Sequence, residues 1–171
     1  IRRAIAKNNS RATFHFNLGA AQLALGQMEE AQTSYRKALA LSPDWAEAYY
    51  NVGSLAGQMG DPGSALPALM KAIDIKKDYA DAHSSLAAVL NTLGRHKDAK
   101  VSALKAVDLN AGLAEAWTNL GNAEDKLGDL SAAENAHRKS TKVKPDYASG
   151  YYNLGNTLAE MWRHNEAISC F

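Results

Sequence analysis

Four asparagines are the residues best placed to do chemistry. Asn17, Asn51, Asn119 and Asn153 fall on one register of 34 residues, with Ser85 in the third place. A carboxamide offers two donor hydrogens and an acceptor oxygen, so it can pair with a peptide backbone whatever the side chains are. A row of such groups would hold an extended chain. Asn122 and Asn156 follow about one helical turn later and would widen the row. Phe16, Tyr50 and Tyr152 each precede one of these asparagines, with Ser84 and Thr118 in the other two places. The three rings are expected to be exposed beside the row, where aromatics suit protein interfaces. The competing reading is that each asparagine bonds to the neighbouring repeat.

Other reactive side chains are scattered. His15 and His83 share the position that Tyr49, Trp117 and Tyr151 fill elsewhere, so they read as packed aromatic substitutes. His96 and His164 fall where loops meet helices, and His137 falls in an apolar position. No His or Cys pairing has metal-ligand spacing, so no metal and no cofactor are expected. Glu124 and Asp125 are adjacent acids. Neighbours on a helix point to different azimuths, so these read as two solvated charges near a helix end, not as paired carboxylates. The lone Cys170 reads as a small apolar packer, and the glycines follow the repeat rather than a phosphate loop. No catalytic residues are expected in this chain.

The elements that must carry the asparagines follow from the period. Asn17-Leu18-Gly19, Asn51-Val52-Gly53, Asn119-Leu120-Gly121 and Asn153-Leu154-Gly155 align. A second glycine column runs Gly26, Gly60, Gly94 and Gly128, with Trp162 in the fifth place. Alanine columns run Ala31, Ala65, Ala99, Ala133, Ala167 and Ala4, Ala38, Ala72, Ala106, then Ser140. Leu18, Ala21 and Leu25 recur at helical spacing, and Gly26 can stop that helix by taking φ > 0. A second helix is predicted over about 28–41. Asp61 and Pro62 mark the next entry, as N-cap and first helical residue. Each period is thus two helices, small where they touch, and pairs must stack to bury their remaining faces.

Three departures carry expectations. Trp162 replaces the loop glycine, so that turn should be built differently or the helix run on. His137, Ser140 and Thr141 replace apolar residues and should soften their helix. Pro67 removes the hydrogen bond to Gly63 and should bend or locally open its helix.

The columns, an aromatic, Leu-Gly, a loop glycine, then Ala, an aromatic, Ala and Pro, resemble the tetratricopeptide repeat over essentially the whole chain. Full repeats are assigned to 12–45, 46–79, 80–113 and 114–147, and a partial repeat to 148–171. Residues 1–11 match the end of a preceding repeat, with Ile1 in the column of Tyr35. The resemblance implies an all-α, right-handed α-solenoid of antiparallel helix pairs, first helices lining a concave groove. It implies a non-enzymatic protein-interaction scaffold holding an extended peptide or partner segment there. The asparagine row is similar to that of long superhelical arrays such as the one in O-linked N-acetylglucosamine transferase. A substrate-recruiting array of a larger enzyme and a structural solenoid subunit are the alternatives. Relatives that clamp chaperone C-termini use Lys and Arg in the first helices. Lys126 is the only base there, which argues against that mode.

The charge balance refines the partner. Lys and Arg total 19 against 18 acids, so no global field favours nucleic acid. The first helices hold Glu47, Asp81, Glu115, Glu124, Asp125 and Glu160 against Lys126. The groove should therefore take neutral or basic peptides over acidic ones. No apolar run reaches the roughly 20 residues of a membrane helix, and an intracellular, cytoplasmic setting is expected from the single cysteine. Ile1 and Phe171 occupy the same column, and neither end shows a polar cap, so the chain is expected to be a window in a longer array.

Overall fold

The computed structural model describes the backbone of residues 2–171 and side chains from Ser10 onward. The expectation for Ile1 lies outside the described residues. Those residues form α-helices joined by short turns, with no strand among them. The helices are α1 (Arg2–Ala24), α2 (Met28–Leu41), α3 (Ala46–Gln58), α4 (Pro62–Ile75) and α5 (Ala80–Thr92). They continue as α6 (His96–Leu109), α7 (Ala114–Lys126), α8 (Leu130–Val143), α9 (Ala148–Glu160) and α10 (His164–Ile168). From α3 onward, helices of like kind begin 34 residues apart, at Ala46, Ala80, Ala114 and Ala148.

α1 departs from the repeat reading. One unbroken helix covers Arg2–Ala24, so no turn closes a preceding repeat before residue 12. The turn chemistry is missing there. Asn9 stands where Pro43 and Pro145 stand, and Arg11 replaces the apolar Trp45, Tyr79, Leu113 and Tyr147 that anchor the later turns. α4 likewise runs on through Pro67 as an uninterrupted helix.

The turns inside each pair share one construction. Gly26, Gly60, Gly94 and Gly128 have φ between 72° and 86°. In the second period Gly60 N–H donates to Gly57 O and Asp61 N–H to Ala56 O. Trp162 does not change this turn, contrary to expectation. It takes φ 63°, its N–H donates to Ala159 O, and Arg163 N–H donates to Leu158 O. The hydrogen-bond pattern that closes the helix therefore outweighs the left-handed cost, roughly 1–2 kcal/mol for a residue with a Cβ. Entry to the next helix is capped by Asp61 Oδ1 accepting from Ser64 N–H, and by Asp129 Oδ1 accepting from Ala132 N–H, each at 3.0 Å.

The chain divides into two compact units, one up to Asp78 and one from Tyr79. The first contains α1–α4. Ala31, Tyr35, Val52, Leu55 and Ala68 form its buried core, with Phe16, Leu23 and Met28 packed against it. The second contains α5–α10, in which α7 packs on both α5 and α9. Its cores form around Ala87, Ala103, Leu120 and Ala136, and around Leu154, Leu158 and Ala167.

Size matching governs each pair. A Cβ on Gly53 would meet Leu69 Cγ at 2.7 Å, and one on Gly19 would meet the Tyr35 ring at 2.8 Å. Gly121 faces the His137 ring and Gly155 the Phe171 ring in the same way. In the third period the glycine is Ala87, and the facing residue shrinks to Ala103 in the same cluster. Of the polar substitutions in α8, Ser140 and Thr141 are matched by hydrogen bonds. Ser140, fully buried, donates to Ala114 O at 2.9 Å and sits 2.8 Å from Thr118 Oγ1. Thr141 donates to Arg138 O at 3.0 Å. The expected loss of burial is thus offset at Ser140 by hydrogen bonds to α7.

Candidate functional site

α1 and α3 carry Asn17 and Asn51 in the first unit, exposed and half-buried respectively. α7 and α9 carry Asn119, Asn122, Asn153 and Asn156 in the second. Asn119 does not offer its amide hydrogens to a ligand. Its Nδ2 donates to Ser84 O at 3.0 Å, which ties α7 to α5. Asn91 Nδ2 in turn donates to Asn119 O at 2.9 Å. At this position the amide bonds to the neighbouring repeat. The signal was in the sequence: serine at 84 is small enough to let the amide reach the backbone.

The aromatic neighbours divide. Phe16 is not a free groove residue. It stacks on Trp45 with centroids 4.5 Å apart and touches Tyr35 at 5.5 Å, packed against the first unit's core. Tyr50 is half-buried, and Tyr152 is 60% exposed with its edge near Phe171.

Three of the six asparagines converge. Asn122 from α7 and Asn153 and Asn156 from α9 line a cleft of about 420 Å³. Asp125, Lys126 and Glu160 supply its charges, and His137 from α8 also lines it. Two polar atoms there are buried without a hydrogen-bond partner, Asp125 Oδ1 and His137 Nδ1. Lys126 Nζ lies 3.5 Å from the other oxygen, Asp125 Oδ2. Burial pulls the His137 imidazolium pKa down to about 4, against the opposing pull of Asp125, so the ring is neutral near pH 7.

The reading of Glu124 and Asp125 as two solvated charges is overturned. Glu124 is only 6% exposed and is held by Lys100 from α6 at 2.9 Å. The Asp125 side chain is 16% exposed and turns into the cleft. The period carried the missed signal. Glu124 shares its column with Ala56, Leu90 and Leu158, all buried.

Elsewhere, Arg163 Nη1 meets Glu134 at 2.6 Å, and Arg138 bridges Glu134 and Glu166, which pins α10 to α8. Those hydrogen-bonded guanidinium groups hold the Glu166 carboxyl below its usual range. Among the described residues no cluster of His, Cys, Asp and Glu could hold a metal ion. No described helix is long and apolar enough to cross a membrane.

Helix pairs of this kind, each with a size-matched contact inside it (glycine against a large side chain, or Ala87 against Ala103) and a glycine-type turn closing it, define a repeat protein. Residues 9–78 and 114–147 match the tetratricopeptide repeat family, and the chain belongs to that family. Its members are protein-interaction scaffolds. No curated protein sequence matches the chain significantly. Among solved structures it is similar to MamA from Desulfovibrio magneticus RS-1, with TM-score 0.81 and 22% identity over 94% of this chain and 91% of that one. It is similar to a thermophilic repeat protein of the same family from Thermus thermophilus, with TM-score 0.79 and 20% identity over 93% and 87%. A third similar structure is YrrB, described as having an unusual peptide-binding site, with TM-score 0.74 and 27% identity over 99% and 87%.

Proposed function

We propose that the chain is a binding scaffold for an extended, neutral or basic peptide segment of a partner protein, held along the first helices. The observation that carries this reading is the cleft where Asn122, Asn153 and Asn156 meet. Their carboxamides make no hydrogen bond to another described residue, so they can pair with a peptide backbone. Asn17 and Asn51 present the same chemistry in the first unit, and Tyr152 adds an exposed ring beside Asn153. Asn119, Phe16 and Tyr50 act at most as supports. The peptide-binding site described for YrrB is consistent with this use of the fold.

The test is peptide display against the full chain, followed by affinity measurement of selected peptides. The double variant Asn153→Ala/Asn156→Ala should weaken selected peptides by about tenfold or more, at roughly 1 kcal/mol per lost hydrogen bond. Acidic analogues should bind more weakly than neutral or basic ones, and added salt should narrow the gap. Unchanged affinity in the double variant refutes the asparagine row.

A further inference from the structure

We propose that the outer face of α1 is a contact between two copies of this chain, paired antiparallel about a two-fold axis. α1 is apolar on two sides. Phe16 and Leu23 pack on the core of the first unit. Phe14, Leu18 and Ala21, with Leu25 just after the helix, recur at helical spacing on another side. These four are exposed, Phe14 by 63% and Leu25 by 75%. A helix that is apolar on both sides is ordinarily covered on both.

The other repeats show what such a face receives. Phe14 shares its column with Ala48, Ala82, Ala116 and Gly150, all buried. Ala116 shares a buried cluster with Ala106 and Val107 of α6, and a Cβ on Gly150 would meet Ser140 Oγ of α8 at 3.1 Å. The face thus seats the second helix of a preceding pair, and the seat is built for a small residue. A phenylalanine ring at this position holds such a helix off its usual distance.

The spacing fits a second copy instead. Steps of four, three and four residues from Phe14 to Leu25 read the same in both directions. Antiparallel pairing about a point between Leu18 and Ala21 sets Leu18 against Ala21 of the second copy, large on small, and Phe14 against its Leu25. A two-fold contact requires this self-complementarity, and steps of three and four are those of paired helices. Charge agrees with the register. It carries the exposed Arg11 past Leu25 of the second copy to the turn where Glu29 and Glu30 open α2. Both acids line a groove of about 390 Å³ beside Leu18 and Gln22, so they border the apolar stripe.

Sedimentation equilibrium of the full chain over a range of concentrations tests the pairing. A monomer–dimer equilibrium with no larger species is expected, because a two-fold contact closes on itself. Phe14→Ala, at an exposed site, should weaken the dimer by about tenfold or more, since each dimer loses two rings. Arg11→Glu should weaken it by about fivefold, and so should Glu29→Arg/Glu30→Arg, because each sets like charges together. An equimolar mixture of those two variants should recover wild-type association, because both ends then join opposite charges. A chain monomeric at every concentration leaves the face to a foreign helix and overturns the pairing. So does a dimer indifferent to Phe14→Ala, growth into open chains, or a mixture that associates no better than either variant alone.

Discussion

Acid should destabilise the second unit through one side chain, His137. The ring is wedged against Gly121 with almost no solvent contact. Its pKa lies at about 4 in the folded chain, against an ordinary value of 6.5. The unfolded chain therefore binds the proton more readily over that interval, and stability falls as pH drops through it. Full stability from this group is present above about pH 6.5 and is lost progressively toward about pH 4. Between about pH 7.5 and about pH 5 the loss comes to about 2 kcal/mol, and it approaches about 3 kcal/mol by about pH 4. The perturbation is His137→Leu, which recreates the Leu69 arrangement on Gly53. Urea unfolding followed by circular dichroism at several pH values measures both proteins. The wild type should lose about 2 kcal/mol more than the variant between those two pH values. Parallel pH profiles would refute the claim that burial of this imidazole sets the acid response.

Trp162→Gly should raise stability by about 1 kcal/mol, because glycine removes the left-handed penalty; the side chain is 82% exposed with only an edge contact to His164, so little burial is lost. A melting temperature unchanged or lowered would show that the turn carries no such strain. Gly53→Ala should cost about 1–3 kcal/mol from overpacking against Leu69, and Leu69→Ala about 2–5 kcal/mol from the space it empties. Combined, they should cost at least about 1 kcal/mol less than the sum, and strictly additive costs would argue against direct size matching at this contact.

Much of the fold was legible because helix contacts repeat at fixed columns. The small residues at 19, 53, 87, 121 and 155, the turn glycines and the Asp61 cap each followed from local sequence. What escaped depended on partners distant in sequence. Glu124 is buried because Lys100, on another helix, reaches it. Asn119 is occupied because Ser84 exposes its carbonyl to α7. Phe16 is drawn inward by Trp45. Trp162 misled because residue type suggested a new turn, whereas the backbone hydrogen bonds fix the same one. For the site, the asparagine column pointed to α7 and α9 among the first helices. It could not separate amides turned to a neighbouring helix from amides left in the cleft. His137 stood out only as a polar residue in an apolar position, and its unpartnered nitrogen emerges from the packing.

The Ala87–Ala103 pairing has an evolutionary consequence. The two members of each contact lie within one period, sixteen residues apart, as in Gly53–Leu69 and Ala87–Ala103. Recombination that moves a whole helix pair carries both members together and keeps the fit. A crossover between the two helices would set Ala87 against Leu69, or Gly53 against Ala103, crowding one junction and hollowing the other. Gene duplication in such an array is thus constrained in phase, and the helix pair, not the single helix, is the smallest exchangeable piece.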